Sequence, residues 1–335
     1  MNDKQSVLSI RDLRIRFRLI NAVVPALGGI DIDVMPGESI GIGGESGCGK
    51  SVTVQTCMGL LPAEGEMYSG KILYHYEDGR EVDIAQLGPK SKELLRLRQR
   101  EMGMVFQEPS ASLSPLHTVY RQMEEAIKDR EKLSNAQRRE ICADVLGKVG
   151  IRQPERWLNE YPFRLSGGMA QRVMIAQAIV KQPRVIFADE PTTALDVTVQ
   201  AQVLKLMDEL RRDMNIATVF ITHNMGILAH MTERIYIMYL GRIVESGLTK
   251  DIFKSPKHPY TQGLISCTPT LSMKKDMRLY NIKGVVSSRD LRDDACSFYP
   301  RCEKAIAGLC DKKLPVKHLI DKDHWVACHL YDKEV

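Results

Sequence analysis

The stretch Gly44-Glu45-Ser46-Gly47-Cys48-Gly49-Lys50-Ser51 decides how this chain is read. It fits the pattern G-x-x-x-x-G-K-[ST], in which glycines let backbone N–H groups converge on phosphate oxygens with no Cβ in the way. In that pattern Lys50 reaches the β- and γ-phosphates of a nucleotide, and the Ser51 hydroxyl ligates Mg²⁺. Upstream, "GGIDIDVMPGESIGI" (28–42) reads as a strand, a Pro-Gly turn and a buried strand. Downstream, "SVTVQTCMGLL" (51–61) has helical spacing, and a helix opening at the end of such a loop is what a phosphate site requires. A chance glycine-rich turn is the competing reading, and the placement between strand and helix disfavours it. The Cys48 side chain is not needed for the cradle and reads as a small filler, with a redox-sensitive thiol as the alternative.

Further along, "VLSIRDLRIRF" (7–17) has alternating apolar positions, and "RVIFADE" (184–190) and "ATVFITHN" (217–224) read as buried strands. Residues 90–101 and 119–149 look helical and polar, "VQAQVLKLMDELRRDM" (199–214) is an amphipathic helix, and "RIYIMYLGRIVESG" (234–247) reads as a hairpin. Strands alternate with helices, so the core is expected to be α/β around a largely parallel sheet. At "KSPKHPYTQ" (254–262) the pattern turns Pro-rich and polar, which sets the expected division into 1–255 and 256–335.

Two further motifs carry chemistry. In Val185-Ile186-Phe187-Ala188-Asp189-Glu190 an apolar strand delivers Asp189 to the sheet edge, where it can hold Mg²⁺. Glu190 points differently from Asp189 and is the natural general base to polarise an attacking water. Leu165-Ser166-Gly167-Gly168-Met169-Ala170-Gln171 is a Ser-capped helix start with exposed backbone donors, a second anion site in the same chain.

These three motifs in this order resemble the nucleotide-binding domains of ABC transporters, and the resemblance covers nearly the whole chain. "LSGG" (165–168), set between the glycine-rich loop and "FADEPTTALD" (187–196), resembles that family's signature. The resemblance implies a P-loop NTPase fold of the ABC type: a RecA-like core, an antiparallel β subdomain and a helical subdomain. Gln107 in "MVFQEP" looks like the Q-loop glutamine, which contacts Mg²⁺ and attacking water. Ala194-Leu195-Asp196 looks like the D-loop, and His223 in "ITHN" like the switch histidine that contacts the γ-phosphate. Phe17 is at about the right distance to stack on adenine, although a half-buried strand aromatic explains it nearly as well. The implied nucleotide contacts are Phe17, Gly44, Glu45, Ser46, Gly47, Cys48, Gly49, Lys50, Ser51, Val52, Ser166, Gly167, Gly168, Gln171 and Asp196, with Ser51, Gln107 and Asp189 toward Mg²⁺. Asn224 departs from the more usual Asp after the switch histidine, and the change is expected to be mild. By the family's logic ATP binds between two such domains, the loop of one facing the Ser166-Gly167-Gly168 turn of the other.

"SPKHPYTQGLI" (255–265), "EPTTALDVTVQAQVLKLM" (190–207) and "GESGCGKSVT" (44–53) are similar to the ATPases of dipeptide, oligopeptide and nickel importers. Read by itself, the first is a linker, since Pro256 and Pro259 would stop a helix. The resemblance implies a second homologous ATPase, two permeases and a substrate-binding protein. The expected function is an ATPase driving import of di- or oligopeptides, with nickel complexes or oligosaccharides as alternatives and a non-transport ABC protein as the more distant one.

Eight cysteines are present, and four fall late in the chain as Cys296-x5-Cys302-x7-Cys310-x17-Cys328. Such clustering suggests a metal site, and the spacing lacks the paired C-x2-C of common zinc patterns. Four thiolates could hold a [4Fe–4S] cluster, as in tails of related importer ATPases; zinc or unligated thiols are the alternatives. Its expected role is to staple a short tail that has little core of its own.

Composition excludes other classes. A net charge of +5 spread over 335 residues is no nucleic-acid signature, and the basic positions Arg96, Arg98 and Arg100 read as a solvated helix face. There is no run of about 18 apolar residues and no secretory leader at the start. The expected place is therefore peripheral, on the cytoplasmic face of the inner membrane.

Overall fold

Leu8, Ile10, Leu13 and Ile15 break strict alternation by one residue, and the first strand absorbs the extra residue as a bulge between Ile10 and Leu13. All four side chains are thereby buried. The computed structural model describes residues 5–127, 133–193, 195–268, 281–287 and 291–332.

In chain order the strands are β1 (Leu8–Leu19), β2 (Ala22–Val34), β3 (Ser39–Gly43), β4 (Gly65–His75), β5 (Glu81–Asp83), β6 (Met102–Val105), β7 (Val185–Asp189), β8 (Ala217–Thr222), β9 (Arg234–Tyr239), β10 (Arg242–Leu248), β11 (Lys317–Asp321) and β12 (His324–Ala327). The helices are α1 (Lys50–Cys57), α2 (Lys92–Arg100), α3 (Pro109–Ser112), α4 (Val119–Ile127), α5 (Asn135–Lys148), α6 (Pro154–Leu158), α7 (Gly167–Ile179), α8 (Val197–Met214), α9 (Met225–Met231), α10 (Thr249–Lys254) and α11 (Pro259–Ser266). None is long and apolar enough to cross a membrane.

The chain forms two compact units, one of Met1–Val34, Ser39–Gln86 and Phe220–Val335, the other of Met35–Glu38 and Leu87–Val219. In the first, β2-β1-β4-β5 make an antiparallel sheet, and β11-β12-β10-β9-β3 pair in that order. The β3–β9 pairing is parallel, and β9–β10 is the expected hairpin. In the second unit β6 and β7 pair in parallel, and every residue of β7 is buried. The helices there start where side-chain caps dictate. Ser91 accepts from Leu94 N–H at α2, and Ser134 with Gln137 forms a capping box at α5. On α2, Leu94 and Leu97 are buried and Arg96 and Arg100 are exposed, but Arg98 is half-buried, so two of the three basic positions expected on a solvated face lie on it. The helical stretch 119–149 is two helices, α4 and α5, with residues 128–132 between them outside the described residues.

The segment after residue 254 is not the linker its prolines suggested when read alone. Pro259 occupies the first turn of α11, where its missing N–H costs nothing, and the His258 ring accepts from Tyr260 N–H as the cap. His258 and Tyr260 are fully buried. Glu245 on β10 anchors this segment. Its carboxylate is wholly buried and accepts from Lys257 N–H at 2.7 Å, His258 N–H at 2.8 Å and the His324 ring of β12 at 2.8 Å.

Burial pushes the His258 imidazole from 6.5 down to about 3. The unfolded chain therefore takes up a proton near its ordinary value while the folded chain does not, so stability present above that pH is lost as pH falls below it. The melting temperature is expected to drop by several degrees between about pH 7 and about pH 5, and H258N, which keeps a neutral cap, to show a shallower drop. An equally steep drop in H258N would move the effect to other groups.

Candidate nucleotide site

In the first unit the loop 44–51 joins β3 to α1. At Gly44 a Cβ would lie 2.2 Å from the Met238 carbonyl oxygen, and at Gly49 (φ +108°) 2.8 Å from Leu27 Cδ2. The two glycines are thus required by a close approach and by a backbone that L side chains avoid. Gly49 caps α1 with no side-chain acceptor, so the helix start presents backbone N–H groups. Lys50 is buried, and its ammonium donates to the Gly44 and Glu45 carbonyl oxygens at 2.9 Å each. Ser46 and Gly47 are exposed, and Ser51 and Val52 half-buried in the first turn of α1. Cys48 is buried, and burial pushes its thiol up despite the nearby Lys50 amine, which supports the filler reading over a reactive thiol.

Glu45 is held at three points. Its carbonyl accepts from Lys50, and its N–H donates to the Tyr260 hydroxyl at 2.9 Å. Its carboxylate takes both arms of Arg301, at 2.7 and 3.0 Å. Tyr260 and Arg301 have no local sequence signal; Arg301 lies 256 residues from its partner.

Also in the first unit, Phe17 is half-buried on β1, opposite Val24 of β2 and Gly65 of β4. His223 is exposed, immediately after β8. Asn224 caps α9, its Oδ1 accepting from Gly226 N–H at 2.9 Å and Ile227 N–H at 3.3 Å. An aspartate carboxylate at that position would cap equally well, so the helix cap itself does not depend on which of the two residues is present.

In the second unit Asp189 ends β7 and is buried. Glu190 follows with φ +45°, a left-handed conformation unusual for a residue with a Cβ. Its carboxylate accepts from Gln107 Nε2 at 3.3 Å and from the Thr193 hydroxyl at 2.9 Å. The sequence reading named Gln107 but missed Thr193, whose signal was its place in the turn after Glu190. Ser166 caps α7 by accepting from Met169 N–H, and Ser166 and Gly167 are exposed. At Gly168 a Cβ would lie 2.9 Å from Val199 Cγ1. Asp196 caps α8, accepting from Val199 N–H at 3.0 Å; Ala194 lies outside the described residues. Gln171 is turned inward, 1% exposed, and among the described residues its Nε2 has no hydrogen-bond partner.

The tail brings its four cysteines into one neighbourhood. Cys296 N–H donates to the Cys310 carbonyl, and Ile306 N–H to Cys310 Sγ at 3.4 Å. Burial, and then the neighbouring thiols, push Cys296 up to about 12 and Cys328 to about 11. Among the described residues, no group of three or more His, Cys, Asp or Glu side chains is arranged to hold a metal ion. The metal staple expected of this region is thus not shown, and the ties that are shown are polar. Asp332 accepts from the His318 and His329 rings at 2.7 and 2.8 Å, His324 bonds Glu245, and Arg301 holds Glu45.

Comparison with known proteins shows the family. Residues 27–193 match the family model "ABC transporter", and residues 244–310 match "Oligopeptide/dipeptide transporter, C-terminal region". The chain is 43% identical to a Sinorhizobium fredii protein named "Probable peptide ABC transporter ATP-binding protein", over 96% of this chain and 94% of that one. It is 38% identical to the dipeptide transport ATP-binding protein DppD of Bacillus subtilis, over 98% and 96%. Among solved structures it is similar to a dimeric ATP-binding cassette in a post-hydrolysis state bound to ADP and Pi, with a TM-score of 0.63 and 26% identity over 72% of this chain and 98% of that one.

The cap at Asn224 makes a direct prediction. N224D should leave thermal stability near that of the wild type, while N224A should lose about 1 kcal/mol. Calorimetric melting of the two variants checks this; equal losses in both would remove the capping role.

Proposed function

We infer that this chain, which belongs to the ABC transporter family of ATP-binding proteins, hydrolyses ATP to drive import of di- or oligopeptides through membrane permeases. The observation that carries the reading is that one chain holds both a loop closed on Lys50 and a Glu190 carboxylate held by Gln107 and Thr193. The named relatives and the match of residues 244–310 support peptide as the cargo.

The proposed division of labour follows from what each side chain offers. The loop N–H groups and Lys50 take the phosphates, and the Ser51 hydroxyl, Gln107 and Asp189 would hold Mg²⁺, which supplies charge neutralisation on the phosphates. Glu190 accepts the proton of the attacking water, aimed by its left-handed backbone and steadied by two donors. His223 contacts the γ-phosphate. Phe17 stacks on adenine, and Gln171 and Asp196, the latter in the loop that links the two ATP sites, serve nucleotide binding at the interface with a second, homologous ATPase subunit. The Ser166-Gly167-Gly168 turn offers the helix-start donors of α7 to the nucleotide of that subunit, so nucleotide closes the pair and hydrolysis reopens it. The ATPase is assigned to 1–255 and the importer-specific region to 256–335. The assembly is two distinct ATPases, two permeases and an extracytoplasmic binding protein, with this chain peripheral on the cytoplasmic face.

Replacing Glu190 with Gln should lower ATP turnover by about a hundredfold or more while leaving ATP binding intact. Wild-type hydrolysis in E190Q, measured as phosphate release, would take Glu190 out of the mechanism. Isolation of the chain from detergent-solubilised membranes should bring integral permeases with it; recovery alone would argue for a non-transport role.

The finer proposal for the tail is a [4Fe–4S] cluster on Cys296, Cys302, Cys310 and Cys328, with zinc as the alternative. It is supported by the closeness of Cys296 to Cys310, joined by a backbone hydrogen bond, and by the softness of the donor set. Protein purified without oxygen should carry iron and absorb visible light. A colourless, iron-free preparation containing zinc selects the alternative, and one with neither metal leaves unligated thiols.

A further inference from the structure

We propose that Arg301 is a positioning residue for the phosphate-binding loop: from the C-terminal region it neutralises and holds Glu45, and so sets the affinity for ATP. The inference rests on reading residues 44–51 as the phosphate loop.

Glu45 is the second residue of that loop and carries a negative charge where a polyphosphate is to be accepted. Left unpaired, its carboxylate would repel the ligand. Arg301 removes this repulsion with a bidentate pair, the strongest geometry a guanidinium offers a carboxylate. The pair is sheltered rather than superficial. The Arg301 side chain is only 4% exposed and that of Glu45 29%, so solvent screens the attraction weakly.

Arg301 is itself fixed by its surroundings. Its Nε donates to the Lys283 carbonyl at 2.9 Å, and its other nitrogens lie 3.5 Å from the Ile282 carbonyl and the Tyr239 hydroxyl. The guanidinium also lies 5.8 Å from the centre of the Tyr239 ring. An arginine so constrained presents its fork in one orientation. Tyr260, from α11, takes the Glu45 N–H at the same time. The carboxylate and N–H of one loop residue are therefore both committed to the C-terminal region, and its carbonyl to Lys50. The loop is shaped from outside as well as by its own glycines.

The test is steady-state ATP hydrolysis and direct nucleotide binding on the full chain in its assembly, with R301A, R301K and the double variant R301A/E45Q. The expected result is a KM for ATP about tenfold higher in R301A, the scale of one lost charge-assisted hydrogen bond, with kcat at saturating ATP changed less than twofold. R301K keeps the charge without the fork and should show a smaller rise. Adding E45Q to R301A should recover most of the loss, because the unpaired charge is then gone; mere loss of tail packing would not be rescued in this way. Wild-type KM in both R301A and R301K, a loss confined to kcat, or no rescue by E45Q would each overturn the proposal. If R301A does not fold, R301Q, which also removes the positive charge, against R301Q/E45Q decides the matter by the same comparison. K50A is the separate control on the reading beneath it: normal ATP binding in K50A would remove the phosphate-loop assignment itself, whereas its loss alongside a silent R301A would sink only the present inference.

Discussion

A carboxylate removed wholly from water, as Glu245 is, must have its charge met by donors or it disfavours folding by several kcal/mol. Here the donors are two successive backbone N–H groups at 257 and 258 and a histidine ring from β12. That requirement fixes where the chain goes after β10. It bends the segment 257–258 onto the strand, starts α11 at Pro259 and brings Tyr260 under the phosphate-binding loop. The same carboxylate holds β12 through His324, beside the strand pairing of β10 with β12. The C-terminal region is therefore built around one buried charge, and the contacts it makes with Glu45 depend on that geometry.

The parts of the structure that depend on neighbours in sequence were legible without coordinates. The glycine-rich loop, the buried strand ending in Asp189, the Ser166 cap and the hairpin at 234–248 each announce themselves within a dozen residues, because their causes are local: steric demand, period and capping. The bulge in β1 was legible only as a flaw in the alternation. What escaped the sequence depends on residues far apart. Glu45 with Arg301, Glu245 with His324 and Asp332 with two histidines leave no local pattern. Pro259 misled for a related reason. A proline stops a helix arriving from before it and is welcome in the first turn of one that begins there, and only the chain's path distinguishes the two.

The four late cysteines show a middle case. Their clustering in sequence suggested a metal site, and the structure shows Cys296 and Cys310 joined through the backbone without a metal-holding group among the described residues. The clustering did not anticipate the polar ties that also hold this region, because carboxylate–histidine contacts carry no spacing signature. Glu190 is a third kind of residue. A side chain with a Cβ at φ +45° costs energy of order 1–3 kcal/mol, and the surrounding turn and two hydrogen bonds must maintain it. Strain of this kind is found where aim matters more than stability.

The commitment of Glu45 to Arg301 has a consequence for modular engineering. Chimaeras that graft the C-terminal region of one transporter ATPase onto the catalytic part of another are natural tools for studying what that region does. In this chain the junction cannot be treated as a seam between independent modules, because residues 45 and 301 form one electrostatic unit. A graft lacking an arginine at the second position leaves a bare acid inside the nucleotide loop, and a recipient without the acid buries an unmatched guanidinium. The two positions have to travel together.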